Sequence, residues 1–125
     1  MQNVKFRSGP LLLTTIVTNI LNPGITTGGT NSTASPWSNT NILVNQITIV
    51  DRGGSGGTFT LYLGASGGSL AGTELAKTDL VPVNGLTTLN YPGGLRLSTA
   101  DFITGSANVN NALDIIINGE VGIGT

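Results

Sequence analysis

Short apolar runs alternate along this chain with clusters of Gly, Pro, Asn and Ser. Runs of about five to ten residues bounded by turn formers predict strands. The clearest is TFTLYLG, where Phe59, Leu61 and Leu63 alternate with Thr58, Thr60 and Tyr62. A period of two places the first set on a core face and the second toward solvent or a partner. ALDIIINGEVGI repeats the pattern: Leu113, Ile115 and Ile117 point one way, Asp114 and Asn118 the other. NILVNQITIVD is apolar on both faces in places, which predicts a central strand.

Other segments carry mixed signals. In LLLTTIVTNIL, Leu12, Leu13, Ile16, Val17 and Leu21 also satisfy a helical period, but the β-branched run Thr14–Thr18 favours a strand. TELAKTDL has the length of two helical turns, and Pro82 just beyond it favours an extended segment. LTTLNYPGGLRLSTADFI reads as strand, turn, short strand and a further turn at Ser98–Asp101. Residues 22–41, NPGITTGGTNSTASPWSNTN, have no periodicity and predict a long polar loop. Residues 1–10 read as an arm ahead of the first strand. No internal repeat or domain boundary emerges. The prediction is one all-β domain over residues 1–125, an antiparallel, jelly-roll-like β-sandwich of about seven or eight strands.

Composition changes this picture in one respect. The chain has 125 residues, enough for one core without staples. Charged residues make up only 9%, against roughly 25% in a typical soluble domain. With 18 Thr, 13 Asn, 9 Ser and 19 Gly, nearly half the chain is small or uncharged polar, and the mean hydropathy is +0.23. Such a surface suits a protein that packs into an assembly or works outside cells. The net charge is −1, and the five basic residues, Lys5, Arg7, Arg52, Lys77 and Arg96, cluster only at the first pair. Nothing there neutralises a run of phosphates, so nucleic acid is not the expected partner. The basic pair before LLLTTIVTNIL faintly echoes a signal peptide. That run is 11 residues, holds three Thr and an Asn, and lacks a small-residue cleavage site, so an ordinary strand is expected. It is too short to span a bilayer, and no membrane contact is expected.

Candidate chemistry is sparse. The chain has no Cys and no His, which removes thiolate sites and the commonest general base and transition-metal ligand. VDRGGSGGTFTLYLGASGGSLAG, residues 50–72, holds eight glycines. A phosphate loop needs backbone N–H groups converging at a helix N-terminus and, in a P-loop, a following Lys. RGGSGGT lies between two strands, and no Lys stands in register in either cluster, so turns are expected. The six acids, Asp51, Glu74, Asp79, Asp101, Asp114 and Glu120, are scattered and match no calcium loop, leaving only sites that the fold itself assembles. A Ser nucleophile would need Lys5 or Lys77 as base, with no motif for either. No catalytic, cofactor or metal residue is therefore assigned, and the expectation is a non-enzyme. Trp37, in SPWSN, is the sole tryptophan and reads as an aromatic anchor for the loop or a neighbouring subunit; a sugar platform is the other use of such a ring.

LLLTTIVTNILNP, TFTLYLGASGGSLAGTE, LTTLNYPGGLRLSTADFI and INGEVGI, taken in this order, resemble a group of small β-sandwich virion accessory proteins of tailed bacteriophages. The resemblance covers most of residues 11–123 and is one of strands and turns, with no catalytic signature. It implies a structural protein of the virion, above all a capsid decoration (cement) protein bound to the outer head lattice. The implied partners are the major capsid protein or other virion proteins, and a homotrimer is the implied oligomer. Leu11, Leu12, Leu13 and Trp37 are the candidate contacts, because they are apolar or aromatic and lie where the intrachain pattern is weak. The alternative is a receptor- or glycan-binding accessory on the tail or head surface.

Overall fold

The computed structural model describes residues 2–22, 25–26, 41–65, 67–69, 72–98 and 101–123. These residues form nine strands and no helix: β1 (Gln2–Leu12), β2 (Thr18–Asn22), β3 (Ile25–Thr26), β4 (Asn41–Asp51), β5 (Gly57–Gly64), β6 (Glu74–Val81), β7 (Leu86–Leu97), β8 (Phe102–Ala107) and β9 (Leu113–Ile123). One sheet has the order β1-β9-β4-β7, the other β3-β2-β8-β5-β6, and every pairing is antiparallel. Set aside the two-residue β3. The remaining strands then run first, eighth, third, sixth in one sheet and second, seventh, fourth, fifth in the other. That is the strand order of a jelly roll, as expected from the sequence.

The core lies between the sheets. Ile42, Val44, Ile47 and Ile49 of β4 face Phe59 and Leu61 of β5, with Leu113, Ile115 and Ile117 of β9 and Ile103 of β8 around them, all buried. Leu63 is half-buried at the margin and packs on the same cluster. The period-two assignment of both clear strands therefore holds, and β4 is central as expected, between β9 and β7.

Three expectations need correction. Residues 2–10 run as an outer strand rather than an arm: β1 pairs with β9 from Gln2↔Ile123 to Ser8↔Ile117. The alternation of Val4 and Phe6 with Lys5 and Arg7 carries this signal in the sequence. LLLTTIVTNIL is not one strand. It holds the end of β1, a bend at Thr15–Ile16 and most of β2, which belongs to the opposite sheet. LTTLNYPGGLRL stays in one strand, β7. Its register steps from Gln46↔Asn90 to Val44↔Leu95, so Tyr91–Gly94 bulge from the ladder instead of reversing the chain. In the 22–41 segment, Ile25–Thr26 pair with β2, and residues 27–40 lie outside the described residues.

Candidate interaction surface

The strand order gathers four connections at one end of the sandwich. Leu12, Asp114, Val50 and Leu86 stand side by side across the first sheet, marking where β1 and β4 end and β9 and β7 begin. In the second sheet β5 starts at this end and β8 and β6 finish there. The β1–β2, β4–β5, β6–β7 and β8–β9 loops are therefore neighbours.

Hydrogen bonds tie these loops to one another. The Arg52 and Gly53 N–H groups both donate to the Ala112 carbonyl, at 2.8 and 3.0 Å. The Thr15 N–H donates to Asn110 Oδ1 at 2.9 Å. Asn108 and Thr58 are bonded twice, Asn108 N–H to the Thr58 carbonyl at 3.0 Å and Thr58 N–H to Asn108 Oδ1 at 2.9 Å. Asp51 joins the β4–β5 and β6–β7 loops: its carboxylate accepts from Gly54 N–H at 3.0 Å and Asn84 N–H at 2.7 Å, and its own N–H donates to the Gly85 carbonyl. The Asn84 N–H, with smaller help from those of Gly56, Gly54 and Gly53, holds the carboxyl below its ordinary range against an opposing desolvation. Arg52 and Asp114 add an ion pair at 3.9 Å, too exposed to contribute much.

This braced end is where large apolar side chains reach water. Ile16 (73% exposed), Leu80 (68%), Val83 (61%), Leu86 (55%) and Val109 (50%) are the exposed large hydrophobics among the described residues. Ile16, Val83 and Val109 sit in the β1–β2, β6–β7 and β8–β9 loops; Leu80 and Leu86 flank the β6–β7 turn. Single exposed hydrophobics are ordinary on any protein. Among the described residues these five gather at one end of the sandwich, and grouping of this kind is what sets a contact patch apart from scattered exposure.

The candidate contacts read from the sequence fall differently. Leu12 lies in the outer-face row that leads to Leu86. Leu11 is half-buried against the core, and Leu13 is fully buried within it, so Leu13 is withdrawn as a contact. The residue after β1 turns inward there, its N–H bonded to the Leu113 carbonyl. Trp37 lies outside the described residues. The residues missed from sequence left a signal: Val83 and Val109 are hydrophobes set inside the turn-forming stretches PVNG and NVNN.

The glycine clusters are turns whose amides are already engaged. Beyond the Asp51 loop, Gly67 N–H donates to Asn19 Oδ1, Gly68 N–H to the Ala65 carbonyl, and Gly72 N–H to the Glu74 carboxylate. Protein oxygens occupy these donors, which an anion would otherwise use. Three of the acids thus cap turns: Asp51, Glu74, and Asp101, which accepts from Ser98 N–H and Oγ–H at 2.9 Å each. Among the described residues, no three Asp or Glu come together as metal ligands would. No helix of the described residues is long and apolar enough to cross a membrane. No family model, curated protein or solved structure matches this chain.

Proposed function

We propose that this chain is a structural protein of a tailed-bacteriophage virion, a capsid decoration protein that seats its loop end on the outer head lattice. The observation that carries the docking assignment is the exposed apolar set Ile16, Leu80, Val83, Leu86 and Val109, held on or beside loops that are bonded to one another. A surface so braced loses little conformational freedom on binding, which is the chief cost of association after rigid-body entropy. The virion assignment rests on the resemblance of the strand and turn segments. The jelly roll supports it only as fold-level analogy, since viral capsid and lectin domains share that architecture.

In this role the chain performs no catalysis. It bridges capsid subunits and stabilises the shell through many repeated copies, as a homo-oligomer that follows the lattice symmetry. Its partner is the major capsid protein, and its location is the assembled particle. Quantifying this chain in purified particles of the phage that encodes it tests the assignment. A decoration protein gives on the order of hundreds of copies per head, as a repeated closed lattice requires. A handful of copies places it on the tail instead, and absence from particles refutes the virion assignment.

A further inference from the structure

The outer face of the second sheet carries a second feature, which adjoins the loop end where Thr58 of β5 stands across from the exposed Leu80 of β6. Strand β6 follows β5 in register as far as Phe59↔Asp79, then resumes at Leu61↔Ala76, so β6 holds one residue more than β5 in this interval. The bulge contains Thr78 at φ 50. A β-branched residue with positive φ is a genuine outlier. Its N–H is held by Thr60 Oγ1 at 3.1 Å. Beside the bulge lies an open hollow of about 220 Å³, lined by Thr58, Thr60, Thr78, Ser106 and Asn108 and floored by Phe59 and Ala107.

The hollow's polar groups are available. Among the described residues, the hydroxyls of Thr58, Thr78 and Ser106 make no hydrogen bond, and the side-chain amide nitrogen of Asn108 is likewise unengaged while its oxygen accepts from Thr58 N–H. We propose that this hollow binds one neutral sugar residue. Hydroxyl groups both donate and accept, as the hydroxyls of a sugar ring do, so a ring of Thr and Ser matches them without a fixed polarity. The chemistry of the lining disfavours other ligands. No Lys or Arg lines it to hold an anion, and no Asp or Glu to hold a cation. An apolar group would leave the hydroxyls without partners. The volume lies below the ~300–1,000 Å³ of pockets for drug-sized ligands, a size that suits a single sugar ring.

A strand from another chain is disfavoured too. The β6 edge is broken by the bulge and closed by Pro82, two devices that blunt an edge against pairing. The strained Thr78 backbone fits the same conclusion, because such strain gathers at ligand sites, where the surrounding structure holds it in place. Thr58, Thr78 and Ser106 stand on strands, and Asn108, in the loop after β8, is held beside them by its two bonds to Thr58, which fixes their spacing before any ligand arrives.

Amide-detected NMR titration of the purified protein tests this without any particle. The probes are glucose, galactose, rhamnose and N-acetylglucosamine, each alone, with inorganic phosphate and an extended Thr-rich peptide as comparisons. At least one sugar should give saturable shifts confined to residues 58–60, 78 and 106–108, with Kd on the order of 1 mM. The Thr58→Val/Ser106→Ala variant should bind that sugar at least about tenfold more weakly at an unchanged Tm. Ser106→Ala alone, weakened severalfold, serves if the double variant does not fold. No saturable shift with any sugar, shifts centred elsewhere, or unweakened binding by the variants would overturn the proposal. So would a response to phosphate or the peptide alone.

Discussion

Replacing Val83 and Leu86 together by Ser should weaken docking while leaving the fold intact. Full burial of a Val or Leu side chain is worth about 1.5–3 kcal/mol. Val83 still exposes 61% of its surface and Leu86 55%, so a partner can remove somewhat more than half of each from water. That leaves about 1–1.5 kcal/mol per residue and about 2–3 kcal/mol for the pair, a loss of roughly 30- to 150-fold in affinity. Because both are exposed in the free chain, unfolding should change by no more than about 0.5 kcal/mol. The assay is titration of purified protein onto particles stripped of this chain, with thermal unfolding in parallel. Asn90→Ser is the control: Asn90 is exposed on the outer face of the first sheet, four positions along β7 from Leu86, and should leave affinity unchanged. Equal affinity of wild type and the Val83/Leu86 variant would refute the assignment of the loop end as the docking surface.

Three further outcomes test the frame beneath that surface. Phe59→Ala should cost about 3–5 kcal/mol by opening a cavity in the core, whereas Thr60→Ser, one position along on the opposite face, should cost under about 1 kcal/mol; equal effects by thermal or urea unfolding would mean the strand is out of phase by one residue. Asp51→Asn should loosen the β4–β5 and β6–β7 loops at neutral pH and speed exchange of the Asn84 amide. Since the folded-state pKa lies below the unfolded one, the carboxylate's contribution is present above about pH 4 and is lost as pH falls through the folded pKa, so the gap in Tm between wild type and variant should close there. Gly119→Ala should destabilise by about 1–3 kcal/mol or more, because its Cβ would meet the Leu43 carbonyl oxygen and force β4 from β9, while Gly64→Ala, with open space around it, should be near neutral in the same unfolding measurement.

The legible part of this fold was the part encoded by phase. TFTLYLG and the ALDIII run give their buried face directly, because a half-buried strand must alternate and a one-residue slip exposes every core side chain. What stayed hidden were changes of sheet. Nothing local distinguishes Leu13, which follows β1 into the core, from Leu12, which faces outward one residue earlier, since both are leucines in an unbroken apolar run. The chain crosses from one sheet to the other in the following residues, and that crossing is set by the partners β9 and β8, about a hundred residues away. The β6 bulge was hidden for the same reason. AKTDL reads as extended, and only pairing with β5 shows that it holds one residue too many.

These hidden features are also where function is best sought. A jelly roll needs its turns short and its strands alternating, and most of this sequence meets that need with Gly, Asn and Thr. Val83 and Val109 do not serve it, since a polar residue would occupy either turn at lower cost in exposed apolar surface. Thr78 does not serve it either, because Gly or Asn would take its positive φ with less strain. Departures of local preference from the global fold tend to collect where a sequence answers to something besides folding. The loop end and the β6 bulge hold the clearest such departures among the described residues, and each offers chemistry to a partner: apolar surface at one, unpaired hydroxyls at the other.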